Sequence, residues 1–132
     1  MDIHLKIIGI IMVVLGIIHV IFPRYFNWKE DLKSISLINQ QLMYVHTFFI
    51  GFLVFLLGLL SLFSTQADFN TPIGSKIALG VSIFWGVRLF FQFFVYSSKL
   101  WKGKLFETIV HVLFSCLWVY FTVVFFLLFY SF

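Results

Sequence analysis

The chain has 132 residues, 62% of them apolar and only 11% charged, with a net charge of +4. Soluble domains run to roughly 45–50% apolar and about 25% charged, and one domain of this length has too little interior to hide such an excess from water. A water-soluble globular domain is therefore excluded. So is a nucleic-acid surface, because the few basic residues lie in short segments between apolar runs.

Twenty phenylalanines reinforce the assignment to lipid, where an apolar ring costs little. Cys116 is the only cysteine, so the chain has no internal disulfide and no cysteine-based metal motif. Cys116 lies among apolar residues and is read as packing.

The first apolar run covers about residues 3–22 and is followed by Pro23. Residues 7–22 are long for a signal-peptide core, and Pro23, Arg24, Tyr25 and Phe26 stand where a small-residue cleavage site would be, so the run is expected to be retained as a span. Gly9 and Gly16 stand seven apart on one face, and His19 comes four residues before Pro23. Residues 24–40 are polar, yet Tyr25, Trp28, Leu32, Ile35 and Ile38 recur at helical spacing, which predicts a short amphipathic helix lying in the interface.

The second run, about 41–63, carries His46 near its start and a second glycine pair, Gly51 and Gly58. Small residues on one face let helix backbones approach closely, so the first two runs are expected to pack tightly. After a polar turn at 64–72 comes the third run, about 73–96, with Trp85, Arg88, Gln92 and Tyr96 on one stripe. Residues 97–104 contain Lys99, Lys102 and Lys104. The fourth run, about 105–129, carries Glu107, His111, Ser115, Trp118 and Thr122 on one stripe.

Each run has about the 20 residues needed to span ~30 Å of hydrocarbon, and only a helix satisfies its own backbone amides there. The predicted fold is an all-α, antiparallel four-transmembrane-helix bundle forming a single domain over residues 1–132. Arg24, Lys29, Lys33, Lys99, Lys102 and Lys104 fall in the first and third connections, whereas Lys6 and Lys76 lie on the opposite side. The positive-inside rule then predicts a multi-pass protein of the cell (inner) membrane with both termini on the non-cytoplasmic side.

Ionisable groups within spans are costly and mark candidate sites. His19, His46, Gln92 and His111 all fall at about 6–9 Å below the same surface, at ~1.5 Å per helical residue, with Glu107 shallower. Imidazole is a common ligand for Zn, Fe and haem iron, and helical bundles build such centres from facing helices. His19, His46, His111 and Glu107 are thus the candidate metal ligands. His46, His111 and Arg88 are the candidate haem- or cofactor-binding residues, and Glu107, Arg88 and Gln92 the candidate catalytic groups. Arg88 requires a partner, with Glu107, Gln92 or a bound anion as the expected ones.

The function predicted from these residues is transition-metal or haem binding at a cytoplasm-facing site, for redox or hydrolytic chemistry on a lipid-like small molecule. The alternatives are a solute- or proton-transport protomer acting as a homo-oligomer, and a non-catalytic accessory subunit with a membrane partner. The outer halves of the runs lack a polar track and a mid-span proline, which argues against transport. Ser115 and His111 share one helix, a poor geometry for nucleophilic attack.

Overall fold

The computed structural model describes all residues 1–132 and contains helices and turns but no strand. It divides into two compact units, Asp2–Ser64 and Thr65–Phe132, the latter joined by Met1. The first unit contains α1 (Asp2–Ile18), the one-turn helices α2 (Phe22–Tyr25) and α3 (Trp28–Asp31), and α4 (Leu37–Phe63). The second contains the one-turn α5 (Gln66–Phe69), α6 (Pro72–Phe94), a 3-10 turn at Ser98–Leu100, and α7 (Leu105–Tyr130).

Three helices, α4, α6 and α7, are long and apolar enough to cross a membrane. The first helix is shorter than the sequence predicts: it ends at Ile18 rather than near residue 22. Pro23 accounts for the difference. A proline has no amide hydrogen, and its ring clashes with the carbonyl four residues back, here that of His19. The chain tightens just before it, with Val20 N bonding Ile17 O at 3.1 Å and Ile21 N bonding Ile18 O at 2.8 Å. Pro23 then sits in the first turn of α2, where a missing donor costs nothing.

The expected interfacial helix over 24–40 is two single turns, separated by Asn27 in the left-handed region at φ 55°. α4 begins four residues earlier than predicted because Ser36 accepts a hydrogen bond from Asn39 N at 3.4 Å and caps it. At the other unit's entry, Thr71 caps Gly74 N at 2.9 Å and Pro72 occupies the first turn of α6.

In the first unit, α1 and α4 run antiparallel and meet at their glycines. A Cβ built on Gly9 would lie 2.7 Å from Leu62 N, and one on Gly16 2.7 Å from Gly51 O. From the other side, a Cβ on Gly58 would lie 2.7 Å from Val13 N, and one on Gly51 2.6 Å from the His19 Cβ. The close approach comes from removing four side chains at matched heights, as the two seven-residue glycine spacings predict.

In the second unit, α6 and α7 also run antiparallel. Trp85 stacks on Trp118 with centroids 4.9 Å apart and planes 14° from parallel, and meets Phe121 edge-on at 5.0 Å. Ser82 Oγ donates to the backbone carbonyl of Thr122 at 2.9 Å, a bond between helices that leaves no hydroxyl facing lipid.

Replacing Gly58 by Ala should force the α1–α4 backbones apart and destabilise the detergent-solubilised protein by about 1–3 kcal/mol. Gly80→Ala is the control, because a Cβ there meets nothing within 4 Å. It should be neutral or stabilising by up to ~1 kcal/mol through helix propensity. Thermal unfolding of both variants checks this; equal effects at the two positions would contradict the packing account.

Candidate functional site

The polar stripes of the third and fourth runs face one another at the α6–α7 end nearest the 95–104 connection. Arg88 Nη1 donates to Gln92 Oε1 at 3.2 Å. Gln92, 8% exposed, places its Nε2 3.1 Å from His111 Nδ1 and 3.4 Å from the His111 carbonyl oxygen. The guanidinium carbon of Arg88 lies 5.2 Å from the centre of the Tyr96 ring and 5.3 Å from that of Trp118. Both distances are within cation–π range.

This chain of bonds sets the chemistry of His111. A guanidinium only donates, so Arg88 selects the oxygen end of the Gln92 amide. The amide nitrogen is thereby left facing His111, where it donates to Nδ1. With Nδ1 accepting, the ring N–H is at Nε2. Neither ring nitrogen keeps an unengaged lone pair.

The imidazole is also held by its faces. Trp101 stacks on it at 4.6 Å and 17°, and Phe93 meets it edge-on at 6.0 Å. Trp101 is itself pinned, because Thr108 Oγ1 donates to its carbonyl at 2.6 Å. Gly103, at φ 78°, makes the left-handed turn that returns the chain into α7. Ser115 Oγ donates to the His111 carbonyl at 2.7 Å, so its proton is committed to the backbone and not to an attack on substrate.

The other expected site residues have their own local surroundings. Glu107 is exposed in the first turn of α7, where its charge suits the helix dipole, and it makes no ion pair with Arg88. His19 belongs to the first unit, where its Nδ1 lies 2.7 Å from the Leu15 carbonyl oxygen and its ring packs against Phe22 at 4.7 Å. His46 is exposed on α4. In neither unit do three His, Cys, Asp or Glu side chains gather in a metal-holding group. The expected histidine cluster therefore finds no support, since depth along a helix says nothing about which way each ring turns.

Two polar atoms in the second unit have no partner. Trp85 and Trp118, 3% and 6% exposed, each bury an indole Nε1 without a hydrogen bond. The sequence placed both on the polar stripes, but indole rings in a membrane chain read first as packing or interfacial anchors. The orphaned donors could not have been seen without the packing.

Imidazole 15N spectra near neutral pH should show His111 protonated at Nε2, with that preference lost in Gln92→Leu. A predominant Nδ1–H tautomer in the unmodified protein would contradict the bond order Arg88–Gln92–His111. Compared with known proteins, the chain matches no family model, no curated protein and no solved structure.

Proposed function

We propose that this chain is a multi-pass membrane protein that binds a lipid-like small molecule at the α6–α7 polar cluster. The observation that carries the reading is the Arg88–Gln92–His111 network. It is an ordered hydrogen-bonded chain of three polar side chains on helices whose other faces are apolar. Such a network within spans is costly unless it has a use, and binding is the default one. The surrounding surface suits an acyl or isoprenoid body, because Phe90, Phe91, Phe93 and Phe94 are all exposed on α6 beside the cluster.

The proposal includes all four long helices as spans, in the four-helix bundle that the sequence predicts. The 17 residues of α1, at ~1.5 Å each, reach about 26 Å, and the tight turn after it adds the remainder of a ~30 Å core. The connections 19–36 and 95–104 lie at the cytoplasmic face of the inner membrane by the distribution of Lys and Arg, with both termini outside. Redox or hydrolytic metal or haem chemistry is not part of the reading. His111 would have to exchange its tautomer, and Gln92 its hold on Arg88, before a lone pair became available to a metal.

Native mass spectrometry of the detergent-purified protein should reveal a retained amphiphile that is lost in the double variant Arg88→Gln, Gln92→Leu. Equal retention in both would overturn the proposal. For topology, in a Cys116→Ser background, Lys102→Cys should react with an impermeant maleimide only after cells are opened. Ala67→Cys should react in intact cells. The reverse pattern would invert the orientation.

A further inference from the structure

The hydrogen-bonding capacity left over at the α6–α7 cluster is dominated by donors. Arg88 carries five N–H donors and uses one nitrogen toward Gln92. His111, accepting at Nδ1, presents Nε2–H. The indole N–H groups of Trp85 and Trp118 are buried and unpartnered, on two rings that stack on each other, one of which the guanidinium covers. Indoles and guanidiniums offer no acceptor at all.

The charge is equally one-sided. No carboxylate pairs with Arg88; Glu30 pairs with Lys33 at 2.8 Å, and Glu107 is exposed. The adjoining connection adds exposed Lys99, Lys102 and Lys104. Arg88 is half-buried within a span, with two ring faces and one amide oxygen beside it and no carboxylate to answer its charge, and a buried indole N–H without a partner is costly as well.

From this cationic, donor-rich set we infer that the site takes an anionic oxygen group, the phosphate or carboxylate head of a single-headed membrane amphiphile. The inference rests on the ligand-binding reading above and specifies its chemical class. The head would lie on Arg88, whose fork matches the paired oxygens of either group, while the apolar body would follow the Phe90–Phe94 face. A cation would be repelled by the guanidinium and the lysines beside it, and an uncharged amphiphile leaves that charge unanswered.

The test uses the full chain in a neutral maltoside detergent, with tryptophan fluorescence and calorimetry as readouts. The titrants are dihexanoyl-phosphatidylglycerol, decanoate, their uncharged counterparts dihexanoylglycerol and decanol, and inorganic phosphate. Phosphatidylglycerol or decanoate should bind saturably and at least about tenfold more tightly than its uncharged counterpart, the scale of one charge-assisted hydrogen bond. Arg88→Gln should lose that preference, and Arg88→Lys should keep only part of it. Inorganic phosphate competing as well as the lipid would assign the same anion site to a free ion as its source.

Equal affinity for the anionic amphiphiles and their uncharged counterparts, unchanged in Arg88→Gln, would overturn the anion inference and leave an amphiphile site standing. If no titrant bound saturably, the ligand-binding reading itself would fall, and the inference with it. Should Arg88→Gln fail to fold by circular dichroism, the comparison of charged and uncharged amphiphiles on the unmodified chain and on Arg88→Lys still decides the question.

Discussion

The second unit is organised around one charge that cannot leave. Arg88 sits six residues before the end of α6, about 9 Å along the helix at ~1.5 Å per residue. An ionised side chain at that depth in an apolar span is costly, and long cationic side chains escape by extending toward the surface. Arg88 extends along α6 toward the 95–104 connection, bonds Gln92 one turn on, and stops between the rings of Trp118 and Tyr96. Each neighbour follows from that choice. The rings supply negative faces, and the amide supplies the oxygen. The amide nitrogen left over defines the protonation of His111, whose ring Trp101 then covers.

The first unit obeys a different rule. Between helices in lipid there is no hydrophobic driving force, so close contact relies on packing alone. Four glycines at matched heights on α1 and α4 remove the side chains that would hold the backbones apart. His19 shows how local that packing is. Its Cβ lies where a side chain on Gly51 would have to be, and its ring nitrogen bonds the Leu15 carbonyl in the helix's own last turn. It is a side chain used to finish a helix.

These two rules also mark what could be read in the amino-acid sequence. Glycine spacing needs only helical periodicity to become a contact, and Gly9, Gly16, Gly51 and Gly58 are where that spacing predicts. The stripes Trp85–Arg88–Gln92–Tyr96 and Glu107–His111–Ser115–Trp118–Thr122 were legible for the same reason: nine polar and aromatic residues cannot all face lipid. What periodicity could not give was direction at helix ends. His46 stands outward and Glu107 stays exposed, because near an interface a polar group can reach water and needs no partner inside. The helix limits at Ile18 and Leu37 moved for local reasons, the ring of Pro23 and the hydroxyl of Ser36, whose reach exceeds a hydropathy run.

The account stands or falls on Arg88 remaining inside, in contact with both rings and Gln92, with its charge met by an anion. The most direct measurement is an experimental structure of the full chain in nanodiscs made with an anionic phospholipid. The account predicts an amphiphile oxygen at about 3 Å from the guanidinium, a charge-assisted hydrogen-bond distance, with the Gln92–His111 bond intact. An Arg88 side chain extended to the bilayer surface, away from Trp118 and with no head group beside it, would contradict it.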